Sequence, residues 1–95
     1  MPLLSDDDIA RELETVPEWE RDGDAIIRTA RLDTFPAAIA FVAAVADAAE
    51  EADHHPDIDI RYRKVRLELS THSAGGLTAK DFALARRIDG LLEGA

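Results

Sequence analysis

Residues 58–70 read IDIRYRKVRLELS, and their alternation of apolar and polar residues is the most informative feature for the architecture. Apolar residues occupy even positions in the first half of the stretch and odd positions in the second half. Because successive strand residues point to opposite faces, one strand cannot change phase midway without a bulge. A two-residue turn at Arg63-Lys64 explains the change, since it places Tyr62 opposite Val65 on a shared face. We therefore predict a β-hairpin here, and a bulged continuous strand is the alternative.

Capping signals mark three helix starts around this hairpin. Ser5, Thr34 and Thr78 each precede a helical pattern, and serine and threonine are favoured N-caps. Asp81 follows Thr78 by three residues, as in a capping box. Two further short strands flank the turn signal at residues 22–24, which read Asp-Gly-Asp. The predicted order is α-β-β-α-β-β-α, an α+β fold with a four-stranded antiparallel sheet and three helices on one face.

Length and composition narrow the class of protein. The chain has 95 residues, no cysteine and a formal net charge of −9, from 11 basic and 20 acidic residues. We expect a single domain over residues 1–95. The absence of cysteine excludes a disulfide scaffold and a thiolate zinc site. The acidity argues against direct binding of nucleic acid, because phosphates need a basic face.

Patterns of hydropathy and codon-linked composition indicate a compartment and a source. The longest weakly polar stretch, residues 35–46, is well short of the ~20 residues that a membrane helix needs. The N-terminus has no basic start followed by an apolar signal core. We therefore expect a cytoplasmic protein without membrane contacts. The preference for arginine over lysine and the many alanines are typical of a GC-rich bacterial genome. A mild halophilic adaptation would give a similar composition.

The three histidines of the chain are predicted to meet at one end of the sheet. His54 and His55 follow the central helix, and His72 follows the last strand. If strands 58–62 and 65–71 pair, these histidines lie at the same open end of the hairpin. Imidazole titrates near neutral pH and both donates and accepts protons. The residues alone thus indicate a proton-transfer pocket suited to a dehydration, and they name no substrate.

Other interpretations of these residues stay open at this point. His54 and His55 also suit a positively charged cap at a helix C-terminus. Three histidines can instead bind zinc and leave a position for water, although adjacent side chains diverge and no HExxH pair is present. Asp81 is explained by the capping box alone, and Glu50 by a solvated helix face.

The residues around the histidines resemble the signature of the pterin-4a-carbinolamine dehydratase family. That signature has an acidic residue four positions before His-His-Pro, then an aromatic residue, a further histidine and an aspartate. The matching residues here are Glu50, His54, His55, Pro56, Tyr62, His72 and Asp81. The stretch THSAGGLT at residues 71–78 is similar to the family's His-x-x-Gly-Gly-Leu-Thr. The resemblance covers nearly the whole chain. One departure is Ile58, where many members carry an aromatic residue.

The resemblance implies a lyase, more exactly a hydro-lyase of the 4a-hydroxytetrahydrobiopterin dehydratase type. Such an enzyme removes water from 4a-hydroxytetrahydropterin and gives quinonoid dihydropterin, in the recycling of tetrahydrobiopterin for aromatic amino-acid hydroxylases. By this resemblance the catalytic residues are His54, His55 and His72. His54 and His72 are the acid–base candidates, and His55 mainly binds and polarises the substrate. The further substrate-binding residues that it implies are Asp81, Glu50 and Pro56. No metal and no organic cofactor are implied, because the pterin is the substrate.

The resemblance also implies partners. It implies a homodimer or homotetramer with paired sheets or helices at the interface, and a pterin as the small-molecule partner. An alternative within the same fold is a non-catalytic dimerisation or assembly module. Such a module serves as the partner of a transcription factor or assists the assembly of a carbon-fixing enzyme. Retention of all three histidines favours catalysis over this alternative.

Overall fold

The computed structural model describes residues 2–95 and shows three helices together with one four-stranded antiparallel sheet. In chain order the elements are α1 (Asp6–Leu13), β1 (Glu20–Asp22), β2 (Ala25–Arg31), α2 (Phe35–Ala52), β3 (Asp57–Arg61), β4 (Lys64–Leu69), a single turn of 3₁₀ helix (His72–Ala74) and α3 (Ala79–Glu93). The predicted α+β class and the order α-β-β-α-β-β-α are confirmed.

Side-chain caps begin all three helices where the sequence predicts them. The hydroxyl oxygens of Ser5 and Thr34 accept hydrogen bonds from backbone amides in the first turns of α1 and α2. Thr78 and Asp81 form a complete capping box at the start of α3. These caps satisfy amide groups that have no partner inside the helix. No helix among residues 2–95 is long and apolar enough to cross a membrane.

The strand order β1-β2-β4-β3 places β4 in the middle of the sheet and β3 at an edge. Alternate residues of β4, namely Val65, Leu67 and Leu69, have no exposed surface. They join one core cluster with Phe41 of α2 and Phe82 of α3. The helices therefore cover one face of the sheet, since alternate strand residues point to one side.

The hairpin is confirmed, but the turn residues predicted for it are wrong. The two-residue loop consists of Tyr62 and Arg63, so that Arg61 pairs with Lys64 and Ile60 lies opposite Val65. Lys64 cannot be a loop residue, because it also pairs with Arg31 of β2. Tyr62 takes a φ of 53°, as a primed hairpin turn requires at its first central residue. The alternation of apolar residues could not reveal this, because both registers keep the same side chains on the core face.

Candidate active site

Two chain reversals at the open end of the hairpin bring the three histidines together. The first reversal is at Asp53, which ends α2 with a φ of 49° and is followed by His54 and His55. The second lies beyond β4, where the 3₁₀ turn begins at His72. Both segments meet because Asp57 pairs with Glu68 in the antiparallel ladder.

A cavity of about 340 Å³ occupies this end of the molecule. Its lining consists of Asp53, His54, His55, Ser70, Thr71, His72, Ser73 and Lys80. All three histidines of the chain thus line a single cavity, as the hairpin pairing predicted. Three other residues that the resemblance implies, Asp81, Glu50 and Pro56, lie outside its lining. Asp81 and Glu50 nevertheless contact histidines that line it.

His54 is held from behind by Asp81, a residue 27 positions later in the chain. Nε2 of His54 lies 2.5 Å from Oδ1 of Asp81. His54 has only 8% of its surface exposed, and Asp81 has none. A carboxylate has only acceptor sites, so Nε2 carries the shared proton and Nδ1 is the lone-pair nitrogen of the neutral ring.

Nδ1 of His54 retains access to solvent. Within residues 2–95 this side chain makes one hydrogen bond, the one through Nε2. The one buried side-chain nitrogen or oxygen without a partner in that part of the chain is Nε of Arg63. Nδ1 therefore does not belong to the buried unpaired atoms. It is free to exchange a proton with a molecule in the cavity.

The second oxygen of Asp81 is fully used by protein groups. Oδ2 accepts hydrogen bonds from the backbone N–H of Thr78 at 2.9 Å and from the hydroxyl of Thr71 at 2.8 Å. Each oxygen of this buried carboxylate thus has at least one donor, which compensates for its removal from water. The result is a carboxylate that cannot turn away from His54 without breaking these bonds.

His55 and Glu50 form a looser pair on the outer side of the cavity. Nε2 of His55 lies 3.1 Å from Oε1 of Glu50, which stands in the last turn of α2. More than half of each side chain is exposed to solvent. An exposed pair of this kind adds little to the free energy of unfolding. The adjacent histidines therefore have different surroundings, since one is buried and anchored and the other is solvated.

His72 is an exposed residue of the same lining. It is the first residue of the 3₁₀ turn, and it also borders a second cavity of about 340 Å³. That second cavity is lined by Asp22, Asp24, Ala25, Glu68, Ser70, His72 and Gly75. His72 thus stands on the ridge between two cavities, where its ring can meet solvent and a bound molecule.

Two glycines close the loop that carries His72. Gly75 has a φ of 81°, the left-handed region that glycine adopts without a steric penalty. Its N–H donates to the carbonyl of Thr71 at 3.0 Å, and the N–H of Thr71 donates to the carbonyl of Gly76 at 2.9 Å. A Cβ on Gly76 would lie only 3.1 Å from Leu3 Cδ2. The pair of glycines therefore serves a tight turn and a close approach.

Several residues of the site gave no functional signal in the sequence. Thr71 and Thr78 contact Asp81, and Ser70, Ser73 and Lys80 line the cavity. The sequence predicts Thr78 only as a helix cap, and Thr71 looks like an ordinary polar residue there. Nζ of Lys80 donates to the carbonyl of Asp53 at 3.3 Å, which brings a cation close to the histidines.

One residue of the family signature lies outside the cavity. Tyr62, which supplies the aromatic position of the signature, lies at the hairpin tip and is 69% exposed. That tip is the end of β3 farthest along the strand from His55.

The zinc alternative of the sequence analysis lacks a set of ligands in the described part of the chain. Within residues 2–95 no three histidine, aspartate or glutamate side chains are arranged to hold a metal ion.

Comparison with known proteins gives consistent relatives. The family model described as pterin 4 alpha carbinolamine dehydratase matches residues 2–91. A protein from Nocardia farcinica is 62% identical over 94% of each chain. One from Chloroflexus aurantiacus is 60% identical over 97% of this chain and 99% of its own. Both carry the provisional name pterin-4-alpha-carbinolamine dehydratase.

Two solved structures share the fold. A crystal structure from Brucella melitensis, described as a transcriptional coactivator/pterin dehydratase, is 30% identical with a TM-score of 0.91. It aligns with 95% of this chain and 98% of its own. A pterin dehydratase-like protein described as a RuBisCO assembly factor of the α-carboxysome has a TM-score of 0.65 at 23% identity. That alignment covers 78% of this chain and 86% of the other, and it supports the fold alone.

Proposed function

Because the chain belongs to the pterin 4 alpha carbinolamine dehydratase family, we propose that it converts 4a-hydroxytetrahydropterin into quinonoid dihydropterin and water. One observation carries this proposal. All three histidines line one cavity, and a buried carboxylate orients one of them. Dehydration needs one group that gives a proton and another that takes one, and positioned imidazoles do both near neutral pH.

His54 is the proposed base. Its Nε2 proton is engaged by Asp81, so that Nδ1 is the nitrogen with a lone pair. Nδ1 takes the proton of ring nitrogen N5 of the substrate. The electrons of that N–H bond then form the C4a=N5 double bond. Asp81 stabilises the imidazolium that results, because the carboxylate remains next to Nε2 in a buried position.

His72 is the proposed acid. It lines the same cavity as His54, and its exposed ring can be recharged by solvent. It gives a proton to the hydroxyl on C4a, and the C4a–O bond breaks as water leaves. One proton is delivered and one is taken in each turnover, so solvent only has to return His54 and His72 to their starting states.

The other residues of the site have binding roles in this proposal. His55, with Glu50 beside it at 3.1 Å, binds and polarises the pterin from the exposed side. Pro56 restricts the backbone after the histidine pair, since its ring fixes φ. Nζ of Lys80 uses one of its three N–H groups toward the carbonyl of Asp53, and the other two suit the carbonyl and ring nitrogens of a pterin in the cavity.

We also propose that copies of the chain form a homo-oligomer by pairing through β3. This strand is an edge of the sheet, with β4 as its partner, and an edge strand presents unpaired N–H and C=O groups. Ile58 and Ile60 leave 36% and 38% of their surface exposed there. An antiparallel copy of β3 centred on Ile60 would place Arg61 opposite Asp59 and Ile60 opposite the Ile60 of the other copy. A homodimer, or a homotetramer made of such dimers, would cover this edge.

The decisive experiment measures dehydration of a 4a-hydroxytetrahydropterin with the purified protein. We expect His54→Ala and His72→Ala each to lower kcat by ~10²–10⁴, the usual contribution of a positioned acid or base. Thr29→Ala, on an exposed position of β2, is the control and should retain the wild-type rate. Wild-type rates in both histidine variants would contradict the assigned roles.

The same assay separates catalysis from the assembly-module alternative. A wild-type protein that gives no acceleration, and that co-purifies with one stoichiometric partner, would support the non-catalytic module instead. Turnover by the wild-type protein in the absence of any partner would support the dehydratase.

A further inference from the structure

Behind His54 lies a chain of buried hydroxyl groups that the acid–base residues do not include. The hydroxyls of Thr71 and Thr78 are 2.8 Å apart, and that of Thr71 is 2.8 Å from Oδ2 of Asp81. Thr71 has 6% of its surface exposed, and Thr78 has none. Two buried threonines therefore contact the carboxylate that contacts His54.

The hydroxyl protons in this chain have one consistent direction. A threonine hydroxyl has one proton to donate, and that of Thr71 is used toward Oδ2 of Asp81. The hydrogen bond between the two threonines must then be donated by Thr78. The oxygen of Thr78 accepts in turn from the backbone N–H of Lys80 at 3.3 Å. The donors thus run from the start of α3 through both threonines to Asp81.

Thr71 also links the proposed base to the proposed acid. It immediately precedes His72, and its backbone N–H and C=O are bound by Gly76 and Gly75. The loop that carries His72 therefore sets the position of the Thr71 hydroxyl. That hydroxyl in turn holds the carboxylate behind His54.

We propose that Thr71 and Thr78 are positioning residues that act through Asp81 and fix the ring orientation and tautomer of His54. This inference deepens the proposed function and rests on it for its catalytic consequence. The consequence for the tautomer is independent of any reaction. A carboxylate held by two donors on Oδ2 keeps Oδ1 turned toward Nε2 of His54, so Nδ1 is the nitrogen left for the cavity.

Thr71 offers a clean test because it lies outside α3. Thr78 is the N-cap of α3, so its replacement lowers helix stability whatever else it does. Thr71→Val removes the hydroxyl at nearly constant volume, and Thr71→Ser retains it. Thr29→Val makes the same change at an exposed position of β2 and is the matched control.

The first readout is the nitrogen-15 spectrum of the His54 ring. We expect the Nε2–H tautomer in the wild-type protein, in Thr71→Ser and in Thr29→Val. In Thr71→Val we expect a mixture of both tautomers and faster exchange of the ring proton. A pure Nε2–H tautomer in Thr71→Val would overturn the proposal, even if no variant turned over a pterin.

The second readout is turnover. We expect kcat to fall roughly tenfold in Thr71→Val, since the hydrogen bond it loses is to a charged group, with KM changed less than kcat. Thr71→Ser should restore the rate, which a purely structural loss of packing would not explain. An unchanged kcat in Thr71→Val would overturn the catalytic part. If Thr71→Val does not fold, Thr71→Ala takes its place in both measurements.

Discussion

Nε2 of His54 lies 2.5 Å from Oδ1 of Asp81, and the same carboxylate closes the capping box of α3. One side chain thus joins the start of a helix to the site at the end of another helix. Local structure and the candidate chemistry depend on a single buried group. A change at this group should therefore affect stability and activity together.

Asp81→Asn tests this dual role. The amide keeps one acceptor oxygen but replaces the other with an N–H donor, so either His54 or the two groups on Oδ2 lose their acceptor. We expect the free energy of unfolding in urea to fall by about 1–3 kcal/mol, and kcat to fall by ~10² or more. Asp47→Asn, at an exposed position of α2, should change stability by less than about 0.5 kcal/mol. A wild-type urea midpoint for Asp81→Asn would contradict the dual role.

Gly75→Ala and Gly23→Ala form a matched pair. Both glycines have positive φ values, 81° and 61°, and a Cβ on either would meet nothing within 4 Å. Each substitution should therefore cost about 1–2 kcal/mol of stability through the backbone alone. Only Gly75 lies in the loop of His72, so only Gly75→Ala should also lower kcat. Equal activities of the two variants would show that this loop does not position the site.

Asp89→Asn should weaken the far end of the molecule and leave the site intact. Oδ1 of Asp89 accepts from Nε1 of Trp19 at 2.8 Å and from Nη1 of Arg28 at 2.5 Å. This group joins α3, β2 and the segment before β1. The amide of the variant keeps one acceptor oxygen, but it loses the negative charge that pairs with the partly buried Arg28. We expect a loss of about 1–3 kcal/mol in urea unfolding, followed by the fluorescence of the single tryptophan. Folded Asp89→Asn should turn over substrate at the wild-type rate, and a selective loss of kcat would contradict this separation.

Ile60→Lys tests the proposed assembly through β3. A lysine at the centre of the paired edges places two like charges in contact, and natural proteins use this device against edge pairing. Light scattering should give a dimer or tetramer for the wild-type protein and a monomer for Ile60→Lys. Thr29→Lys, on β2, should leave the number of chains in the oligomer unchanged. An oligomer that persists in Ile60→Lys would place the interface elsewhere.

Much of the fold was predictable because its signals are local. The caps at Ser5, Thr34 and Thr78 depend on one side chain and the next few amides. The hairpin follows from a change of phase within thirteen residues, which only one tight turn explains simply. Its turn residues were not predictable, because moving the loop from Arg63-Lys64 to Tyr62-Arg63 leaves the same side chains on the core face. Because Lys64 pairs with both neighbouring strands, only Tyr62 and Arg63 are left for the loop. Tyr62 then takes the positive φ that a primed turn requires.

The candidate site was likewise predictable only in part. The order of the elements and the meeting of the three histidines at one end of the sheet were predictable from spacing and residue type. Spacing and residue type could not distinguish His54 from His55, which are adjacent and chemically identical, and only the family resemblance gave them different roles. That His54 is buried against Asp81 while His55 faces solvent beside Glu50 follows only from the three-dimensional packing. The orientation of each ring comes from partners distant in the chain, and the packing of α3 against α2 brings Asp81 to His54 and not to His55.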